Sequence, residues 1–536
     1  MSSFCKIAES SIFKVSAVFL VLLLFNMEAA PNLHYGVENA VEASFLWSDE
    51  GRQIKILENI QNTQSLKLSQ SAYTAFYIHL SYLFAWLVEG GTPISPKSFA
   101  YGSKWVSLLS MNLYLMLGFV LVYRILSSFL WATFALVLLS GQSLNLLFAT
   151  RIHPEATMIL FVVLTLYSAT FFFLYAKPND WWKTTGSAAL AIGTKPLVVF
   201  LIPWAAVVFA VTVWKHRIYN LKRNLWYILG GSLLFLVVFT ISSPYQVLHL
   251  QEWLEGLLSE KAYSAGKWAG RSGWGWITVV VGDSFLGPVF SFFFCFSILT
   301  SVLHLHRGLK EKGPSFLKNP AESFFLINLS WVIIGNGYIV LGSRSFIDRY
   351  LIHTHFSFFM IIILGLYWWV PSLTKRKSRW MITIGVLLFF AGIHGQWRLV
   401  ERDKNRRRAI NQELSKHRKF AAVLPSIVPQ EAKILYSRQI YIFPQNFPFA
   451  ERVGEFIDVP IIEKQGIEYL IVNLKGRPGM KQIGIVPLTE REFRVQKSIQ
   501  FWQSLEKNGV DGLFSVVRHF PEIEVTVYRK KMPSPI

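Results

Sequence analysis

A succession of apolar runs, each near the length that crosses a bilayer, constrains this chain more than any other feature. They fall at residues 104–123, 129–148, 156–175, 224–242, 284–303, 322–342, 348–371 and 379–396, with a shorter first run at 15–25. About 20 apolar residues in helical conformation match the hydrocarbon thickness. Residues 184–214 form a longer run, interrupted by Gly193-Thr-Lys195-Pro196. Lys followed by Pro at mid-depth favours two short spans that meet outside the bilayer. The expected fold is mostly α, a polytopic membrane protein of about eleven transmembrane helices with a C-terminal extracytoplasmic α/β domain.

Composition agrees. Of 536 residues, 52% are hydrophobic and only 16% charged, against about 25% charged in an ordinary soluble domain. The net charge of +21 suits cytoplasmic loops and anionic headgroups, so nucleic acid is not an expected partner. Two cysteines, Cys5 and Cys295, make no disulfide framework and no Cys/His metal spacing. Neither a dinucleotide fingerprint nor a Walker A sequence occurs, which argues against a nucleotide-driven pump.

Charge orients the spans. With a break at Lys195, Arg124, Lys177, Lys183, Lys215, Arg217, Lys222, Arg223, Arg307, Lys310, Lys312, Lys318 and the run Lys375–Arg379 all fall on one side. That side is cytoplasmic by the positive-inside rule, and the expected active face is periplasmic or external. A single helix over 184–214 would scatter these charges across both sides. The N-terminal run, with Lys6 and Lys14 before it and small residues after it, also fits a cleavable signal peptide. An uncleaved first span keeps the next loop outside and is preferred. Compact loops suit a bacterial inner membrane.

Residues 1–397 read as the membrane domain and 398–536 as a soluble one. Arg398 to Lys419 is a charged, helical connector; its basic character on an external segment sits poorly with the topology. Beyond it, strands are expected at 433–437, 467–473, 513–517 and 523–528, with a helix at 497–508 and a terminal hairpin broken at Phe520-Pro521.

The first external loop, 31–103, holds Phe45-Leu-Trp-Ser-Asp-Glu-Gly-Arg-Gln53. Asp49 and Glu50 lie there as adjacent carboxylates, expected in a loop against the bilayer surface. Taken alone, such a pair is more often a solvated acidic loop than a catalytic one. Residues 73–88 are apolar and aromatic, suited to a helix lying in the interface. Arg151-Ile-His-Pro-Glu155 precedes a span; Glu155 there either complements the helix dipole or faces a cavity. His153 is expected to be packed rather than catalytic. Arg349-Tyr350 has an equally good reading as a headgroup anchor, and Lys195 as a snorkelling side chain.

Taken together, Ser48-Asp49-Glu50, the interfacial helix, Arg151–Glu155, Gly193–Pro196, Ser243-Pro-Tyr245 and Asp348-Arg349-Tyr350 resemble the GT-C membrane glycosyltransferases. The likeness is to the protein mannosyltransferase and lipid A aminoarabinose transferase branch, over roughly residues 10–395. The resemblance implies a polyprenyl-phosphate sugar as donor and a protein, glycolipid or polysaccharide acceptor. It implies that Asp49 is the catalytic base and that Glu50 and Glu155 orient the acceptor, the base or a divalent ion. Such enzymes commonly have Asp at the second acidic position, where this chain has Glu155. The family includes metal-dependent and metal-independent members, so Mg or Mn held by Asp49 and Glu155 stays open.

The chemistry needs these residue types on independent grounds. A sugar on a lipid phosphate already has a good leaving group, so the acceptor hydroxyl chiefly needs a base. Cations must take up charge on the departing phosphate. Lys195, Arg344 and Arg349 supply them on the external side, with Tyr245 nearby, and an Arg fork suits phosphate better than Lys. A single displacement inverts the anomeric centre. Two other classes stay in view, a lipid-linked glycan transporter or flippase and a non-catalytic scaffold. Transporters usually place charges at mid-bilayer within repeated halves, and neither feature is evident here.

Overall fold

The computed structural model describes residues 11–38, 42–43, 48–63, 75–218, 220–267, 275–282, 285–338, 348–370, 379–437, 440, 442, 446–452, 458–473, 490–510 and 512–531. They divide into two compact units, Met1–Lys404 and Asn405–Ile536.

The first unit is helical. Its elements are α1 (Ser11–Ala29), α2 (Ser48–Thr63), α3 (Phe76–Glu89), α4 (Pro96–Leu126), α5 (Phe129–Ser140), α6 (Ser143–Ala149), α7 (Glu155–Tyr175) and α8 (Pro178–Thr194). After these come α9 (Leu201–Lys215), α10 (Leu221–Ser242), α11 (Pro244–Leu248), α12 (Leu250–Lys267), α13 (Gly275–Val281), α14 (Gly287–Lys312), α15 (Pro320–Tyr338) and α16 (Asp348–Trp369). The division between units falls within α17 (Arg379–Val423). Local signals start several of these helices. Ser95 caps α4, its hydroxyl accepting from the Ser98 amide at 3.1 Å with Pro96 in the first turn, and Asn220 caps α10 through Arg223. Both satisfy amides that a helix start leaves without partners.

Seven helices among the described residues are long and apolar enough to cross a membrane, or eight if α5 and α6, bent by 67°, form one broken span. The chain is a multi-pass integral membrane protein, but the count of about eleven is not reached on these residues. One reason is α8, whose 17 residues lie at the short limit for a membrane crossing. Another is that the last expected span and the charged connector are not separate elements: α17 runs unbroken for 45 residues.

The interruption at Lys195-Pro196 is present. α8 stops at Thr194, a short 3-10 turn covers Pro196–Val198, and α9 starts at Leu201. Polar ties gather the helix ends into two levels. At one, the Lys215 ammonium donates to the carbonyls of Phe173 (3.1 Å) and Leu317 (2.8 Å), the Tyr227 hydroxyl to that of Ala176, and Arg124 to the Tyr167 hydroxyl. At the other, Lys195 meets Glu155, and the Ser243 hydroxyl donates to the Gly193 carbonyl at 3.1 Å. Among the described residues, Arg124 and Lys215 thus lie at the opposite end of the bundle from Glu155 and Lys195.

Two glycines set helix spacing. A Cβ on Gly102 of α4 would lie 2.9 Å from the Ser81 carbonyl oxygen of α3, which brings the short aromatic helix against the bundle. A Cβ on Gly365 of α16 would lie 2.4 Å from the Ser297 Cβ and 2.6 Å from its Cα on α14. Close backbone approach at small residues is a main source of helix association in lipid. Gly365→Ala therefore has to push two helices apart. It is expected to cost about 1–3 kcal/mol, read as an earlier midpoint in detergent-solubilised unfolding. An unchanged midpoint would show that the crossing yields freely.

The second unit is a five-stranded sheet with helices on both faces. Its strands are β1 (Ile434–Tyr436), β2 (Ala450–Arg452), β3 (Tyr469–Asn473), β4 (Phe514–Phe520) and β5 (Val525–Lys530), in spatial order β2-β1-β3-β5-β4. β1 is parallel to β2 and β3, whereas β5 is antiparallel to β3 and β4. Alternation along β3 feeds two cores. Tyr469 and Ile471 join Phe420 of α17 and Leu424 of the 3-10 turn that follows it. Leu470 and Val472 join Ile462 of α18 (Val459–Gln465) and Phe501 and Leu505 of α19 (Glu490–Asn508). The four expected strands, the helix and the terminal hairpin are present; β2 and α18 are additions.

His417, also in this unit, is buried, and that burial pulls its imidazole down to about 4. Unfolded, it titrates near 6.5, so between these values the unfolded chain binds the extra proton. Stability from this group is complete above 6.5 and is lost as pH falls towards 4. Protection of the β3 amides in the full-length protein, taken relative to the intrinsic exchange rate at each pH, is expected to fall across that window, and less so in His417→Gln. An equal loss of protection in both proteins would assign the effect elsewhere.

Candidate active site

Asp49 and Glu50 are not in a loop. They open α2, in its first turn, where the partial positive charge of a helix start favours carboxylates. Both are buried. Arg52, one turn on, holds its guanidinium 3.5 Å from Asp49 Oδ1.

The second stretch comes from between α6 and α7. His153 is buried, with Nε2 4.0 Å from Asp49 Oδ2 and Nδ1 in direct contact with the Glu155 carboxylate. Glu155 is fully buried in the first turn of α7. Its other oxygen lies 2.5 Å from Lys195 Nζ, which comes from the third stretch, just past the C-terminus of α8. The two helix ends favour this arrangement, an anion at the start of α7 and a cation at the end of α8. The result is an alternating series, Arg52, Asp49, His153, Glu155, Lys195, drawn from three separate parts of the chain.

Hydrogen bonds hold the middle stretch in place. Buried Tyr77 of α3 donates to the Ser103 carbonyl (3.0 Å) and pairs with the Ser107 hydroxyl (3.1 Å). Ser107 in turn donates to the Arg151 carbonyl at 2.8 Å. Burial, with a smaller contribution from the Glu50 charge, holds the Tyr77 phenol above its ordinary range, so it stays a donor. Arg151 is itself buried, with Nη2 4.0 Å from Asp403 of α17.

The structure therefore brings Asp49, Glu155 and Lys195 together. Tyr245 lies in α11, its hydroxyl donating to Glu252 at 2.9 Å and its ring stacked on His249. Arg344 lies outside the described residues. Arg349 is in the first turn of α16, but its side chain also lies outside them. His153, expected to be mere packing, is the link between the two carboxylates. Its place beside Glu155 in Arg151-Ile-His-Pro-Glu155 was the available signal.

Among the described residues, no group of three or more His, Cys, Asp or Glu side chains is placed to hold a metal ion. Glu155 faces Lys195 and His153, so a divalent ion shared with Asp49 would have to displace a cation already in position.

No family model matches the sequence, and no curated protein matches it. Solved structures do. The crystal structure of ArnT from Cupriavidus metallidurans bound to undecaprenyl phosphate aligns with a TM-score of 0.50 at 13% identity, covering 95% of this chain and 97% of that one. The apo state of the same protein gives 0.50 at 12%, over 96% and 98%. The apo oligosaccharyltransferase from Archaeoglobus fulgidus gives 0.47 at 11%, over 87% and 70%. ArnT, a lipid A aminoarabinose transferase, is a GT-C protein. At this identity what is shared is the fold, and it is shared from end to end.

Proposed function

We propose that this chain, which has the GT-C fold over nearly its whole length, is a membrane glycosyltransferase acting from a polyprenyl-phosphate sugar onto a hydroxyl acceptor. The observation that carries the reading is the convergence of Asp49 with His153, Glu155 and Lys195 at one end of the bundle. The ArnT structure bound to undecaprenyl phosphate supports a polyprenyl-phosphate donor for this fold.

In this reading Asp49 accepts the acceptor's proton as the hydroxyl oxygen attacks the anomeric carbon. The bond from that carbon to the phosphate oxygen breaks, and the electron pair leaves on the lipid phosphate. Arg52 and His153 flank Asp49. Glu155 holds His153 towards Asp49, and Lys195 balances the buried Glu155 charge. That commitment to Glu155 makes Lys195 a positioning residue first, and contact with the departing phosphate is assigned to Arg344, Arg349 and Tyr245 on chemical grounds. Glu50 orients the acceptor. The active face is taken as external, in a bacterial inner membrane.

Radiolabelled sugar offered on a panel of polyprenyl phosphates to membranes containing the protein is expected to reach an acceptor, with inverted anomeric configuration. A retained configuration would remove the single-displacement mechanism. Lipid flipping without transfer with any donor would replace the enzyme reading with a transport one.

A further inference from the structure

Lys104 of α4 is a fully buried cation to which the mechanism above gives no part. Its ammonium donates to the carbonyl of Tyr35 and, at 3.2 Å, to that of Asn32. Both carbonyls lie in the 3-10 turn after α1 and its cap, in the chain that leads to Asp49. An ammonium taken out of water is tolerated only where acceptors replace its lost hydration. Two further residues on the same helical face hold the same stretch at more exposed positions. The Tyr101 hydroxyl pairs with His34 Nδ1 at 3.1 Å, and Lys97 meets Glu38 at 2.9 Å.

About a third of a turn round α4, a second face holds the other half of the candidate site. The Ser103 carbonyl accepts from Tyr77, Ser107 donates to the Arg151 carbonyl at 2.8 Å, and Ser110 pairs with Thr157 of α7 at 2.9 Å. One apolar cluster, separate from the main bundle core, spans both halves: Val37, Ile54 and Leu57 of α2, Phe99 and Ala100 of α4, and Ile152. Ile54 and Leu57 lie in the turns that follow Asp49, and Ile152 stands beside His153. The single turn Ser103–Ser107 is therefore common to the chain that carries Asp49 and the chain that carries Glu155.

We infer that Lys104 is a positioning residue for the transfer reaction. Its ammonium fixes the Asn32–Tyr35 turn on α4, which sets how α2, and with it Asp49, stands against His153. It acts through that backbone and not on the reacting atoms. The kinetic consequence rests on the transferase reading above; the geometric one does not. A displacement of about 1 Å in a positioned group costs about 10²-fold in rate.

The test uses full-length protein carrying Cys5→Ser and Cys295→Ser, with nitroxide labels at Lys55→Cys on α2 and Lys177→Cys before α8, both exposed positions. Lys104→Met is expected to broaden the distribution of inter-label distances. In unlabelled protein it should lower kcat about 10–100-fold while donor KM changes less than about threefold. Lys104→Arg keeps the charge and its donors, and should recover part of both. Lys97→Ala, at an exposed pair, should leave both at wild type. A folded Lys104→Met with the wild-type distribution and kcat overturns the inference. So does a raised donor KM at unchanged kcat, which would place the ammonium on the donor phosphate. Lys104→Gln, which keeps a donor without the charge, carries the same readouts if Lys104→Met does not fold. Absence of transfer by the wild type with any donor would remove the transferase reading, and the distance distributions would still decide whether Lys104 fixes α2.

Discussion

Asp49→Asn is expected to abolish sugar transfer while the protein stays folded in the membrane. The amide keeps the size and planarity of the carboxylate and one acceptor oxygen, but it cannot take a proton. Loss of a positioned general base costs about 10²–10⁴-fold in rate, enough to drop transfer below detection in a membrane assay. The stability cost should be small. The Arg52 contact is 3.5 Å long with an exposed guanidinium, and the His153 contact is 4.0 Å. An exposed pair such as that with Arg52 contributes about 0–1 kcal/mol, and the buried His153 contact is too long for a hydrogen bond. Elution of the mutant at the wild-type volume in detergent, with transfer lost, is the expected outcome. A folded mutant with wild-type transfer would show that Asp49 is not the base. Glu50→Gln, one residue away and also buried, is the matched control: it should weaken acceptor use and leave donor binding intact.

How much of this is legible in the sequence differs by residue. The break at Lys195-Pro196 is, because proline removes a helical donor and clashes with the preceding turn wherever it occurs. The sorting of helix ends is too, since it follows from counting Lys and Arg across that break. Asp49 was expected in a loop and lies in the first turn of a helix. Ser followed by two acidic residues is itself a helix-start signature, and it was outweighed by reading the whole stretch as a surface loop. The place of His153 between the two carboxylates was hidden for a different reason. Its significance lies in Asp49, more than a hundred residues away, and no local pattern encodes that distance.

The soluble unit shows the same division. β3 stands out because Tyr469–Asn473 is a continuous apolar run, buried on both faces at the centre of the sheet. β2 is three residues long, too short for a period of two to register. α17 was divided into a span and a connector because its apolar and charged halves differ so sharply. Helix formation does not require uniform polarity, and the basic half is rich in Arg, Lys, Gln, Glu and Leu, which favour helix. Its charges also find partners in the first unit: Lys404 meets Glu28, and Asp403 approaches Arg151.

The pair Glu155 and Lys195 gives the second large expected effect. Glu155 is fully buried and the Lys195 side chain nearly so. Removing either partner leaves the other's charge in a poorly solvated site, at a cost of about 3–5 kcal/mol. Glu155→Gln and Lys195→Met are each expected to lower the unfolding midpoint strongly. The double substitution should cost less than their sum, with a coupling of about 0.5–3 kcal/mol. Additive costs would mean that the 2.5 Å contact carries no energy of its own. Glu155→Asp separates stability from chemistry. Deleting one methylene withdraws the carboxylate by about 1.5 Å, so it can no longer reach both Lys195 and His153. If Glu155 positions His153 for Asp49, Glu155→Asp should lower kcat with little change in donor KM, and the pH dependence of kcat should shift as His153 loses its anionic neighbour. An unchanged pH profile alongside reduced stability would confine Glu155 to holding α7 against α8.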